Sequence, residues 1–300
     1  MSLRLEMLQV ARLAPKILGD ATGLVRGFLR RQQNEDGGFK DRTGKSDLYY
    51  TVFGIDGLIA LQAAPPVDLL AGYLRQFGSG DGLDFVHFCC LARGWAAVSY
   101  LSQQSGEGRP AGLEDALLKR LETHRTPDGG YHPLPASDYG TAYGCYLALG
   151  AYQDLGADLP EPMRLVESLK LLETADGAWT NERNMKAGST NATAAAVTVL
   201  RNLSIPVKPA VGQWLLARCH PTGGFLAIPQ APIPDLLSTA TALHALAGME
   251  VSFEPLKEKC LDFIDSLWTN EGSFHGNWTD EHLDCEYTFY SLLALGHLSL

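Results

Sequence analysis

Six short stretches place chemistry-bearing side chains at the same point ahead of an apolar run. Asp47, Asp84, Ser137, Ser189, Asp235 and Asp284 each open such a run, and four positions on comes Thr51, Phe88, Thr141, Thr193, Thr239 or Thr288. An Asp or Ser there can accept the unpaired N–H groups of a helix's first turn, so capping is the first explanation of all of them. Three stretches carry more. The first has Arg42 and Lys45 on a glycine-containing loop, then Tyr49 and Tyr50; the second has His87; the sixth reads Asp284-Cys285-Glu286-Tyr287. If these helix starts share one end of the fold, their partial positive charges make a seat for an anionic ligand. His87, close to a helix start, either titrates near neutrality or bonds a neighbouring repeat.

The elements that must position these residues recur with a period. DGGF at 36, DGLD at 81, DGGY at 128, DGAW at 176, TGGF at 222 and EGSF at 271 have first glycines 45, 47, 48, 46 and 49 residues apart. Ahead of each turn the apolar spacing is helical, over 24–33, 69–77, 113–124, 163–172, 211–219 and 256–268. After it comes a second helix rich in small residues, most clearly Ala192 to Val199. Strand signal is slight. Helix pairs of this kind bury their apolar faces only against their neighbours. The length and the count of six predict an all-α fold, an (α/α)6 toroid of six helical hairpins around a central funnel. Residues 1–20 read as an amphipathic helix outside the repeat and 21–300 as one toroid domain. Tyr49, Tyr50, Phe53, Phe85, Trp95, Tyr139, Tyr143, Trp179, Trp278, Tyr287 and Tyr290 are candidates for an aromatic funnel wall, or else pack between helices, and the deeper wall is expected to be apolar and aromatic.

Composition narrows the function. A net charge of −10 without a Lys/Arg-rich run argues against nucleic acid or an anionic membrane as partner. No stretch approaches the roughly 20 apolar residues of a membrane span. The six cysteines form no C-x-x-C pair, which reads as reduced thiols and a cytoplasmic setting.

The turns and helix starts resemble the β subunits of protein prenyltransferases and, more distantly, the squalene and terpene cyclases that share the repeat. GGFKDRTGKSDLYYTVFGIDGLIAL (37–61) and GSFHGNWTDEHLDCEYTFYSLLALGHL (272–298) are similar to repeats of Rab geranylgeranyltransferase β subunits. The resemblance implies an isoprenoid diphosphate held near Arg42 and Lys45. Its prenyl chain would run down the funnel past Tyr49, Tyr50 and Tyr287, with Asp284 at the substrates. It also implies a zinc site at Asp47 and His87 and a helical-repeat α subunit as partner chain. The family's third ligand, a Cys, is here Tyr49, which leaves the zinc set one ligand short.

The resemblance to cyclases implies another role for the sixth stretch. Their D-x-D-D-T motif carries the proton donor where this chain has Glu286, within Asp284-Cys285-Glu286-Tyr287-Thr288. An apolar funnel would raise the pKa of that carboxyl and keep it protonated, as a general acid requires. The leading expectation is a prenyltransferase-like transferase using Asp47, His87 and Glu286. The alternatives are protonation of a polyprene by Glu286, and a toroid that binds lipid or protein without catalysis.

Overall fold

The computed structural model describes residues 2–102 and 108–300. After α1 (Leu3–Ala11) and the single turn α2 (Pro15–Leu18), outer and inner helices alternate. The outer set is α3 (Thr22–Arg31), α5 (Val67–Arg75), α7 (Leu113–Glu122), α9 (Pro162–Lys170), α11 (Pro209–Leu216) and α13 (Lys257–Asp265). The inner set is α4 (Leu48–Ala60), α6 (Phe85–Leu101), α8 (Ala142–Leu155), α10 (Thr190–Asn202), α12 (Leu236–Gly248) and α14 (Cys285–Leu298). Each inner helix packs on the next, and α14 packs back on α4. The ring is therefore closed, as the repeat predicts.

Composition explains which helices face inward. Outer helices are amphipathic: α3 buries Val25, Phe28 and Leu29 and leaves Leu24, Arg30 and Arg31 exposed. Inner helices are apolar nearly all round, and in α10 every residue from Ala192 to Leu200 is buried. A stripe on one side packs against a ring; a helix apolar on all sides belongs inside one.

The turns lock the pairs together. In the first repeat the Thr51 hydroxyl donates to the Asp47 carbonyl at 2.5 Å and accepts from the Phe39 N–H at 2.9 Å. Thr239 does the same with Asp235 and the Phe225 N–H. The threonine four places after the cap thus ties the turn's aromatic to the inner helix. Glycine is required on the other side of the turn. Gly272 has φ +89° and a Cβ there would overlap the Leu24 carbonyl of α3, so the last turn seats directly on the first outer helix. Arg31 reinforces that seam by donating to the Glu271 carbonyl at 2.9 Å.

One expectation about the caps needs correction. Ser137 does not cap the third inner helix; α8 begins at Ala142, and Thr141 caps it through the Gly144 N–H at 2.8 Å. Ser137 instead bonds His132 and the Leu134 carbonyl, stabilising the preceding loop. Slight strand structure is present: β1 (Phe39–Lys40) pairs with β2 (Ser46–Asp47), and β3 (Trp268–Thr269) with β4 (Ser273–Phe274). These two-residue ladders are the backbone bonds of tight turns, too short to leave an alternating pattern.

The end of the ring formed by the inner helices' C-termini is filled by α1. Arg4 donates to Asp56 of α4 at 2.9 Å, and Asp56, 1% exposed, also accepts from Arg93 of α6 at 2.8 Å. The Leu3 N–H meets Gln153 of α8, Glu6 pairs with Arg201 of α10, and the Glu6 carboxylate lies 3.9 Å from His244 of α12. Gly296 of α14 has no side chain, and the Val10 carbonyl occupies the space a Cβ would take. Helix α1 therefore meets α4, α8, α10, α12 and α14 directly, and is linked to Arg93 of α6 through Asp56. The funnel's deep wall, expected to be apolar and aromatic, also carries the charges of Asp56 and Arg93. The lone charges inside the apolar helices α4 and α6, Asp56 and Arg93, partner each other, and α1 adds Arg4 to Asp56.

Closure of this seam has a measurable consequence. Gly272→Ala should cost more than about 3 kcal/mol in denaturant unfolding, because it combines a left-handed backbone with overlap against Leu24. Gly82, with φ +84° and open space around it, should cost only about 1–2 kcal/mol on the same change. Equal costs would contradict the seating of the last turn on α3.

Candidate functional site

The three chemistry-bearing helix starts come together at the N-terminal mouth of the ring. Because α14 closes against α4, the first and sixth repeats are neighbours despite more than two hundred intervening residues. The loop after β1 folds around Asp41, whose Oδ1 accepts from the N–H groups of Thr43 and Lys45 at 2.7 and 2.9 Å. That fold carries Arg42 across the seam. Its Nε donates to Asp284 Oδ2 and its Nη2 to Asp280 Oδ2, both at 3.1 Å, and its guanidinium lies 5.5 Å from the Tyr287 ring centre. Asp284 is 1% exposed; burial raises its pKa, while the Tyr287 N–H and Arg42 oppose the rise. Asp280 was absent from the residues picked out by sequence, and nothing in the repeat signals it. Lys45 is exposed on the same rim.

Asp47 and His87 also meet. Asp47 caps α4 through the Tyr49 and Tyr50 N–H groups at 2.8 and 3.2 Å, and its other oxygen is 3.0 Å from His87 Nε2. His87 Nδ1 sits 2.9 Å from Asp84, the cap of α6. The bond to Asp47 is the main reason the His87 pKa climbs to about 9; partial burial opposes it and Asp84 adds to it. Burial works to raise Asp47, but His87 and the two capping N–H groups hold it below its usual range. The trio is an imidazolium between two carboxylates.

These residues do not fit zinc. Both ring nitrogens of His87 are engaged by carboxylates, and the position of the family's Cys is Tyr49, whose hydroxyl is committed to Glu286. Among the described residues no group of three or more His, Cys, Asp or Glu side chains converges to hold a metal ion. Cys90, one turn below His87, is buried, and burial pushes its thiol up to about 12.

Glu286 occupies the centre of the arrangement. Its Oε1 accepts from the Tyr49 hydroxyl at 2.6 Å, and only 9% of the residue is exposed. Burial lifts its pKa to about 7; the Tyr49 bond pulls the other way and the Asp284 charge adds to the rise. Aromatic rings lie beneath it: Tyr49 to Phe53 at 5.0 Å, Phe53 to Tyr290 at 5.3 Å and Phe53 to Phe289 at 5.8 Å between centres. Tyr143 comes from α8, which adjoins neither α4 nor α14 in the ring, yet its hydroxyl senses Glu286. Burial and the neighbouring Cys90 and Cys89 raise the Tyr143 hydroxyl, and the Glu286 charge adds to the rise. Tyr50 lies nearer the rim beside Arg42; burial, followed by the nearby Asp284, raises its hydroxyl to about 12.

The geometry thus joins Arg42 to Asp284, Asp47 to His87, and Tyr49 to Glu286. An acid–base group at neutral pH and an aromatic cage lie on one axis. The residues missed in the sequence are those below the cage, Asp56 and Arg93. Their signal was a single charge inside LYYTVFGIDGLIA and FVHFCCLARGWAAVSYL.

Comparison with known proteins yields a family match. The model of the prenyltransferase alpha-alpha toroid domain matches residues 5–91 and 193–299. No curated protein sequence matches. Among solved structures, Candida albicans protein geranylgeranyltransferase-I complexed with GGPP aligns with TM-score 0.66 and 14% identity, over 90% of this chain and 89% of that chain. The type II terpene cyclase MstE from Scytonema aligns with TM-score 0.62 and 15% identity, over 94% and 97%. A polysaccharide lyase aligns with TM-score 0.63 and 11% identity, over 95% and 97%. At these identities the likeness is one of fold, and the fold serves several chemistries.

Burial of Glu286 should be visible in stability. Its folded pKa of about 7 exceeds the ordinary 4.5, so its contribution is fully present below about pH 4.5 and is lost as pH rises through 7. The loss amounts to about 3 kcal/mol. Glu286→Gln should therefore raise the melting temperature at pH 8 and leave it nearly unchanged at pH 4.5. Parallel melting curves for the two proteins across that range would contradict the assignment.

Proposed function

The chain belongs to the prenyltransferase alpha-alpha toroid domain family, and from that premise we propose an isoprenoid-handling enzyme in which Glu286 is the general acid for a polyprenyl substrate held on the ring axis. One observation carries this reading: a carboxyl buried above an aromatic cage, protonated below about pH 7 and bonded by Tyr49. Support for the substrate class comes from two structural neighbours that hold geranylgeranyl compounds. A MstE variant is complexed with geranylgeranyl dihydroxybenzoate, and the Candida albicans transferase with GGPP.

The proposed chemistry begins with Glu286 as a neutral acid. An alkene or epoxide of the chain, lying between Tyr49 and Tyr290, takes the proton, and the electron pair of its π bond or strained C–O bond leaves a carbocation. The faces of Tyr49, Phe53 and Tyr290 stabilise that positive charge. The Glu286 carboxylate is held by the Tyr49 hydroxyl at 2.6 Å. Loss of a proton to water from a carbon beside the final cation ends the reaction with no net redox change, and water returns a proton to Glu286 for the next turnover. Asp47 and His87 play a positioning role at the mouth, where their ion pair fixes the starts of α4 and α6.

A second reading is prenyl transfer from an isoprenoid diphosphate bound at Arg42 and Lys45, with Asp47 and His87 orienting an acceptor that a helical-repeat subunit presents. Its favouring observation is two cationic side chains on one rim, Lys45 exposed and the Arg42 side chain 34% exposed. Against it, Arg42 already pairs with Asp280 and Asp284. A diphosphate would have to displace carboxylates of its own sign.

Incubation with epoxidised and plain polyprenes, and separately with geranylgeranyl diphosphate, decides between them. The acid reading predicts isomeric products of unchanged mass. Turnover should fall as pH rises above 7, resist chelators, and drop by about 10²-fold or more in Glu286→Gln. Diphosphate release that depends on Arg42 and is indifferent to Glu286→Gln would establish transfer instead.

A further inference from the structure

Resting on the isoprenoid reading above, we propose that helix α1 is the floor of the axial chamber, and that Met7, backed by Arg4, determines how long an apolar chain the chamber admits.

Down the axis, side chains stack in layers one helical turn apart. Tyr49, Tyr143 and Glu286 form the uppermost layer. One turn below lie Phe53, Cys90, Tyr146 and Tyr290; one turn further come Asp56 and Arg93. From Tyr49 to Asp56 is seven residues, roughly 10 Å of helix. Arg93 sits directly under the cage, its guanidinium 5.5 Å from the Phe53 ring centre and 5.9 Å from that of Phe289. It is fixed there by Asp56, and Asp56 by Arg4. An apolar chain descending the axis therefore meets a buried ion pair on the α4 side. To pass, it would have to leave charges without partners.

On the α6–α8 side the same layer is open. A cavity of about 50 Å³ lies between α1, α6 and α8, walled by Met7, Cys90, Arg93, Tyr146 and Ala151 among others. Met7 closes it from below, its sulfur 3.4 Å from the Tyr146 hydroxyl. A cavity of ~150 Å³ holds benzene, so one of about 50 Å³ accepts the branched tip of a chain and not a further ring-sized unit. The polar groups on its wall, Arg4, Arg93 and Asp154, lie toward the floor, where they end the apolar surface. Methionine is a deformable stop, because its unbranched side chain refills space readily. No repeat helix supplies this stop. It comes from α1, whose depth is fixed by direct contacts to α4, α8, α10, α12 and α14.

The test measures binding, not turnover. Fluorescent geranyl, farnesyl and geranylgeranyl alcohol analogues are titrated into the full chain and into Met7→Ala and Met7→Trp, with thermal melts to verify folding. Met7→Ala should raise affinity for the longest analogue relative to the shortest by about tenfold, from the few methylenes newly buried. Met7→Trp should lower that ratio by a similar factor and leave geranyl binding unchanged. If Met7→Trp fails to melt cooperatively, Met7→Ala and Met7→Leu decide. Analogues that bind all folded variants with one unchanged length preference would overturn the floor assignment alone. Failure of every analogue to bind, wild type included, would overturn the isoprenoid reading and the floor with it.

Discussion

Everything in this structure depends on the contact between α14 and α4, which turns a row of helix pairs into a ring. An open row would leave the apolar first and last inner helices against water. Closure removes both edges and gives each inner helix two inner neighbours and an outer one. It also creates the site. Arg42 reaches Asp284 and Tyr49 reaches Glu286 only because the sixth repeat lies beside the first.

Closure also makes a hole, and α1 is the structure's answer at one end of it. Filling that end with an apolar plug would have been the simplest solution. The chain uses charge instead: Arg4 and Arg93 against Asp56, Glu6 against Arg201. Breaking a buried pair of this kind typically costs about 3–5 kcal/mol, so α1 is held in one register. The His244–His297 pair, 3.0 Å apart, is buried in the same region, and burial lowers both imidazoles, to about 4 and about 3, so they remain neutral. The axis thus has a proton-donating carboxyl at its mouth, an aromatic middle and a charged base.

Much of this was legible in the sequence because it repeats. The turn glycines, the caps at Asp47, Asp84 and Asp284, and the six-pair ring follow from a period that the helix geometry enforces. Ser137 misled because Thr141 was matched to the threonines four places after the caps; it lies 12 residues after Gly129, as Ser189, Asp235 and Asp284 lie 12 after Gly177, Gly223 and Gly272, and so is itself the cap. What a period cannot give is contact across the ring. The bonds from Arg42 to Asp280 and from Arg4 to Asp56 join residues with no common place in the repeat. Lone charges at Asp56 and Arg93 did mark the base of the axis, since an unpaired charge in an apolar helix demands a partner from elsewhere. The failed zinc set was legible too: Tyr49 replaces the expected thiolate, and in the structure its hydroxyl serves Glu286.

The account turns on a single proton, the one that Glu286 holds at neutral pH. Infrared difference spectroscopy of the carboxyl C=O stretch, comparing wild type with Glu286→Gln across a pH titration, reads that proton without reference to any substrate. The account predicts a protonated-carboxyl band lost with a midpoint near 7, shifted upward in Tyr49→Phe because the hydroxyl no longer stabilises the carboxylate. A midpoint near the ordinary 4.5, insensitive to Tyr49, would contradict it.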